Sequence, residues 1–227
     1  MRAIVTGDIG CYSLGGMPPL NGIDTILCMG GSVSMSHGFE LAMAGTEHRP
    51  IVGIIGDSTF AHSGLTSLLG TAYNKGAGTI CILDNRTTAM TGKQGHPCNG
   101  VTLQHRPSRE MNIEALIAAM GIEDIRTVDP YDRQAVRTAL KEATANTDDL
   151  SVIVFRHPCV LLTKEKPAKV CMVDGNCSAC GVCITIGCPA LAKNPVTGQA
   201  EIDPDLCIGC GCCEQYCKSG NITREAR

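Results

Sequence analysis

Short apolar runs alternate with longer stretches of helical periodicity over the first two-thirds of the chain. Pro50 to Ile55 (PIVGII) and Thr79 to Leu83 (TICIL) are continuous apolar runs of strand length, the pattern of parallel strands covered on both faces. Between them, Ser63 to Lys75 has helical spacing and stops at Gly76, which predicts a helix. Ala3 to Thr6, Thr25 to Met29, Asp124 to Val128 and Ser151 to Phe155 predict further strands. Met35 to Ala44, Ile113 to Met120 and Arg133 to Ala145 predict further helices. Strand and helix taking turns in this way predict an α/β fold with a doubly wound, mostly parallel sheet. The alternation ends near residue 160. Leu161 to Val170 (LLTKEKPAKV) is polar and basic and contains Pro167, which predicts a linker; beyond it Cys, Gly and Pro dominate. The expected organisation is a domain over 1–160, a linker over 161–170 and a small domain over 171–227.

Composition agrees with a layered core. Of 227 residues, 44% are hydrophobic and 18% charged, enough to bury a sizeable interior. With three Phe, four Tyr and no Trp, aliphatic side chains and 26 glycines must do the packing. A net charge of −3 gives no electrostatic reason to expect nucleic acid as a partner. No apolar run reaches the roughly 18 residues of a membrane span, and the start (MRAIVTGD) lacks the apolar stretch of a secretory signal. The expected setting is soluble and cytoplasmic, with no nucleic-acid or membrane partner.

The 15 cysteines change the picture. A disulfide framework belongs to small secreted chains and leaves an odd thiol over. Five cysteines are scattered up to Cys159, whereas ten fall between Cys171 and Cys217. Within that block Cys177, Cys180 and Cys183 recur 30 residues later as Cys207, Cys210 and Cys213, with the turn sequence Asn194-Pro195-Val196-Thr197-Gly198 between the copies. The runs read Cys177-x2-Cys180-x2-Cys183-x4-Cys188-Pro189 and Cys207-x2-Cys210-x2-Cys213-x3-Cys217-Lys218. This is the spacing of bacterial ferredoxins with two [4Fe–4S] clusters, in which the fourth cysteine of each run ligates the other cluster. That rule puts Cys177, Cys180, Cys183 and Cys217 on one cluster and Cys207, Cys210, Cys213 and Cys188 on the other, in a small α+β ferredoxin-like domain. Zinc, the rival ligand reading, uses four ligands, commonly as two pairs, and fits two triplets poorly. The x4 gap before Cys188 and Lys218 in place of Pro depart from the common pattern. Cys171 and Cys212 read as non-ligands.

A second site is suggested where Gly56-Asp57-Ser58 follows the apolar run ending at Ile55 and Asn85 follows the next. Carboxyl ends of neighbouring parallel strands are where open α/β sheets place ligands. Asp and Asn oxygens there suit Mg²⁺, which usually bridges to phosphates, and Gly56 permits close approach of a diphosphate. The plainer alternative is that Asp57 caps a helix and Asn85 sits in an ordinary turn.

The succession strand, Gly-Asp-Ser, helix, strand, Leu83-Asp84-Asn85 resembles the thiamine diphosphate motif. Gly7-Asp8-Ile9-Gly10-Cys11-Tyr12, Met29-Gly30-Gly31-Ser32, Gly56 to Gly64 (GDSTFAHSG) and Met90-Thr91-Gly92-Lys93-Gln94 occur in order. Together they resemble the 2-oxoacid:ferredoxin oxidoreductases, in particular the thiamine-binding and C-terminal ferredoxin domains of the indolepyruvate ferredoxin oxidoreductase α-subunit family. The resemblance implies that Asp57, Asn85 and the Thr87 carbonyl hold Mg²⁺. It places Gly56, the Ser58 amide, Ser32 and Cys11 at the cofactor, and His62 and His96 near the reacting carbon. It implies oxidative decarboxylation of a 2-oxoacid, an arylpyruvate such as indolepyruvate, with electrons leaving through the clusters to a carrier ferredoxin and the acyl group going to coenzyme A. Pyruvate or 2-oxoglutarate as substrate, or an electron-transfer module alone, are the other readings. The family also implies a pyrimidine-binding domain from another chain or segment and a second oxidoreductase subunit. The chain by itself, a split subunit or a piece of one, is expected not to turn over. Anaerobically purified protein is expected to carry about eight irons per chain; iron and sulfide analysis returning about four would make one run degenerate.

Overall fold

The computed structural model describes residues 2–45 and 49–227. They form two compact units. The first takes in residues up to Gly16, Gly22–Pro130 and Gln134–Leu162, and the second takes in Met17–Asn21, Tyr131–Arg133 and Thr163–Arg227.

The first unit is a doubly wound α/β layer structure. Its sheet holds β1 (Ile4–Gly7), β2 (Thr25–Ile26), β3 (Ile51–Gly56), β4 (Thr79–Asp84), β5 (Asp124–Val128) and β6 (Ser151–Arg156) in the order β2-β1-β3-β4-β6-β5. Every pairing is parallel. The two-residue period of a strand sorts the apolar side chains onto opposite faces. Ile80 and Ile82 of β4 and Val152 and Val154 of β6 pack on one face with Phe60, Leu68 and Ile117. Their alternates Cys81, Ile153 and Phe155 pack on the other with Ala139 and Ala143. The first face is covered by α1 (Gly31–Met43), by α2 (Asp57–Thr59) running through a π-helical turn (Phe60–Gly64) into α3 (Leu65–Tyr73), and by α4 (Ile113–Ala119); α5 (Arg133–Ala143) covers the second.

Three elements differ from the sequence expectation. The strand expected over Thr25–Met29 pairs only at Thr25 and Ile26, because the chain leaves the sheet edge and turns at Gly30 with φ 86°. Gly30 and Ser32 thereby donate their amides to Asp8 at 2.9 and 2.6 Å. Asp8, fully buried at the end of β1, satisfies orphan donors at the start of α1, which begins at Gly31 rather than Met35. The helix expected from Ser63 begins instead at Asp57, directly off β3. The Ser63 hydroxyl donates to the Thr59 carbonyl inside that helical run.

The second unit is small and repeated. β7 (Lys169–Val173) pairs antiparallel with β10 (Ile222–Ala226), and β8 (Leu191–Lys193) with β9 (Ala200–Ile202) across the turn at Asn194. A 3-10 turn (Val182–Ile186) and α6 (Cys212–Tyr216) start at equivalent points of the two copies. No helix among the described residues is long and apolar enough to cross a membrane.

Candidate functional site

The carboxyl ends of β3 and β4 border a cavity of about 330 Å³ whose wall includes Cys11, Gly56, Asp57, Ser58, Asn85 and Thr87. Asp57 is 3% exposed and bonded from two chain segments: Oδ1 accepts the Ser58 amide at 2.7 Å and Oδ2 accepts the Arg86 amide at 2.8 Å. Among the described residues no Lys or Arg side chain pairs with it. The loop after β4 is shaped for this contact. Arg86 takes the left-handed conformation (φ 65°), and Asn85 Oδ1 accepts the Thr87 amide at 3.1 Å. The Thr88 hydroxyl donates to the Ser58 hydroxyl at 2.8 Å, tying the two strand-end loops together. Thr87 is buried, and among the described residues no bond is donated to its carbonyl.

That loop is anchored underneath by ions. Asp84 Oδ2 accepts Arg156 Nε at 2.6 Å, Arg156 also pairs with Glu114 at 2.8 Å, and Arg86 pairs with Glu110. Burial pushes the Asp84 carboxyl up against the pull of Arg156 and Arg86, while the hydrogen bond from Arg156 holds Glu114 down at about 2. Burial likewise raises Asp8 against the opposing Ser32 and Gly30 amides. Three carboxylates, Asp8, Asp57 and Asp84, are thus buried at neighbouring strand ends. A diphosphate alone would meet negative charge here, whereas a divalent cation with it would offset that charge. The donor set fits Mg²⁺ with a diphosphate: a carboxylate with no cationic side chain on it, an amide oxygen beside it, and a buried carbonyl with no donor.

The other residues singled out from the sequence divide between the cavity wall and its surroundings. Cys11 is an exposed thiol on the cavity wall. Ser32 is fully buried, its amide is held by Asp8 and its side chain acts on the same carboxyl, and it is not on that wall. The Ser58 amide is engaged by Asp57. His62 lies in the π-helical turn, close enough to Asp8 to act on its charge, and His96 lies behind Asp57 with its side chain 3% exposed; neither lines the cavity. Tyr12 is a wall residue that sequence reasoning missed as a site residue: its hydroxyl accepts the Gly56 amide at 3.1 Å. Burial, then the charge of Asp8, push its phenol up, so it stays protonated. The signal was there in Gly10 and Gly56, where an added Cβ would meet the Tyr12 ring.

In the second unit the cysteines form two groups. Cys183 is pushed up by burial and by its neighbours Cys177, Cys180 and Cys217. The thiol of Cys212 is pushed up by its bond with Cys210, by burial, and by Cys213 and Cys188. Cys171, on β7, donates its amide to Cys207 Sγ at 3.3 Å, and burial and a thiol contact with Cys213 also mark its place in the second group. Cys217 is thus close enough to Cys183, and Cys188 close enough to Cys212, for their charges to be felt. Left-handed residues recur at the same offset, Ala179 and Gly181 in one copy and Gly209 and Gly211 in the other, with φ between 56° and 75°. Such turns point backbone amides inward, where sulfide is held.

Comparison with known families settles what the first unit is. The family model for the thiamine pyrophosphate enzyme C-terminal TPP-binding domain matches residues 8–155. The chain belongs to the thiamine pyrophosphate enzyme family. The model for the 4Fe-4S binding domain matches residues 200–223, the second cysteine run of this thiamine pyrophosphate enzyme chain. The chain is 40% identical over 234 residues to indolepyruvate oxidoreductase subunit IorA of Thermococcus kodakarensis, covering 95% of this chain and 36% of that one. It is 39% identical over 237 residues to the IorA subunit of Pyrococcus horikoshii, covering 96% of this chain and 36% of that one. It thus spans little more than a third of the length of these relatives. Its fold is shared with the 2-oxoglutarate:ferredoxin oxidoreductase of Magnetococcus marinus, at a TM-score of 0.61 and 15% identity over 70% of this chain and 55% of that one.

The crossed thiol sets predict a separable loss. Cys217→Ser is expected to remove the cluster of the first run and Cys188→Ser that of the second, each leaving about four irons. Iron analysis and the spectra of the reduced variants check this; identical residual spectra from both variants would contradict it.

Proposed function

We propose that this chain is the cofactor-binding and electron-accepting part of a thiamine diphosphate-dependent 2-oxoacid:ferredoxin oxidoreductase, with arylpyruvates such as indolepyruvate as substrates. The observation that carries the proposal is the convergence of Asp57, Asn85 and Thr87 on one cavity, in a chain that also carries two cysteine runs. Asp57, Asn85 and the Thr87 carbonyl would hold Mg²⁺, with the diphosphate lying against Gly56 and Ser58. The cysteines would hold two [4Fe–4S] clusters, four irons to each set.

When bound, thiamine diphosphate supplies the carbanion sink that decarboxylation of a 2-oxoacid requires, and the clusters accept electrons one at a time. The chain's own residues prepare the site for this. Asp57 and the Asn85 loop fix the cation's position, with the Asp84–Arg156 pair holding that loop from below. Tyr12, protonated and fixed against Gly56, supports the cavity wall beside Cys11. Coenzyme A as acyl acceptor and a carrier ferredoxin as electron acceptor follow from the family reading. A pyrimidine-binding domain and a second subunit would complete the assembly. In support, Ile9, Leu14, Ile26, Leu27 and Met29 are exposed by 40–71% along the segments that run past the cavity and the sheet edge, apolar side chains that a partner could cover. Free thiols in this number also suit a reducing cytoplasm.

Thiamine diphosphate with Mg²⁺ at about 100 times its dissociation constant is expected to stabilise the full chain by about 2.7 kcal/mol, read as a rise in Tm. Asp57→Ala is expected to abolish the rise. No rise in the parent protein would leave an electron-transfer module as the better reading.

A further inference from the structure

We propose that His96 is a positioning residue for the divalent cation, acting through Asp57. The inference rests on the reading of Asp57 as a cation ligand and goes beyond it by assigning a residue that holds the ligand in place.

The hydrogen-bond network assigns the imidazole's protonation. His96 stands before a 3-10 turn (Pro97–Asn99), and its Nδ1 accepts the Cys98 amide at 3.3 Å. A nitrogen that accepts a backbone N–H carries no proton, so the proton of the neutral ring sits on Nε2. Nε2 lies 3.2 Å from Asp57 Oδ2, and the side chain is 3% exposed. The contact is close but not aligned as a hydrogen bond, so Nε2 is a buried donor without a bonded partner among the described residues. A buried donor left unmade is costly, and such atoms are rare enough to need a reason.

The surroundings supply the reason. Asp57 already accepts the Ser58 and Arg86 amides, one on each oxygen. A carboxylate has about four acceptor positions, so each oxygen keeps one: that on Oδ2 is the one His96 Nε2 approaches at 3.2 Å and would fill once a cation fixes the carboxylate, and that on Oδ1 is left for the cation. The His96 turn is itself fastened to the loop after β4, since Arg86 Nη1 donates to the Cys98 carbonyl at 2.9 Å. One carboxylate therefore gathers three segments: the end of β3, the loop with Asn85 and Thr87, and the turn carrying His96. A histidine donating to a metal-bound carboxylate fixes its plane, and loss of such an outer partner typically lowers metal affinity 10–100-fold. His96 is a positioning residue because its imidazole faces the ligand and does not line the cavity.

The test titrates the full chain with Mn²⁺ in the presence of excess thiamine diphosphate and reads free Mn²⁺ by electron paramagnetic resonance. His96→Gln places an amide N–H near the Nε2 position, and His96→Asn places one near Nδ1, so the pair separates the donor from mere bulk and polarity. The Asn variant is expected to bind Mn²⁺ about tenfold or more weakly, and the Gln variant to stay close to the parent. Parent-like affinity in both variants, or equal loss in both, would overturn the role of His96 while Asp57→Ala still abolishes binding. Unchanged affinity in Asp57→Ala would remove the cation reading itself, and the inference with it.

Discussion

Asp57 is a carboxylate buried where a parallel strand turns directly into a helix, and it is tolerated there because backbone donors from two separate segments close around it. An unpaired charge at such a place costs several kcal/mol, so the chain around it has little freedom. To deliver its amide, Arg86 accepts a left-handed backbone, a conformation that costs of the order of 1–3 kcal/mol in a non-glycine residue. That turn is what sets Asn85 and Thr87 on the same cavity wall. The ion pairs of Asp84 with Arg156 and of Arg156 with Glu114 hold the base of the loop to β6 and α4. The site is therefore a consequence of solvating one carboxylate from inside the protein, with a remaining lone pair left for a ligand.

The same economy governs the cysteine-rich unit. Eight thiols at short spacing cannot be presented by regular helix or strand. The two copies instead bend through left-handed residues at matching positions, Gly181 and Gly211 opening the helical turns that bear Cys183 and Cys213. Gly209 is constrained twice, by its φ of 70° and by the Lys169 carbonyl that a side chain there would strike. The antiparallel pairings β7–β10 and β8–β9 frame the two copies. Cys171 and Cys212 add thiols beside the second set, more sulfur than a ligand count alone requires.

What could be read from the sequence was whatever is local. The apolar runs at β3, β4 and β6 are buried on both faces, and such runs declare themselves without help from the rest of the chain. The cysteine spacing is a covalent ruler, and the Gly-Asp-Ser and Asn85 positions followed from strand ends. What escaped depends on partners far away in sequence. Asp8 starts α1 from 22 and 24 residues away. The helix begins at Asp57 because its carboxylate is satisfied from Arg86, 29 residues on; without that contact, Ser63 looked like the natural start. Arg156 reaches Asp84 across 72 residues, which no periodicity shows. His96 was singled out for its chemistry, but only the fold sets its imidazole behind the carboxylate.

The central claim is that this cavity accepts a diphosphate only together with a divalent cation, because its floor is a buried carboxylate without a cationic side chain. Calorimetric titration of thiamine diphosphate into the full chain, with Mg²⁺ and again with a chelator, tests it most directly. The account predicts binding with Mg²⁺ and a loss of at least about tenfold in affinity without it. Equal affinity under both conditions would contradict it.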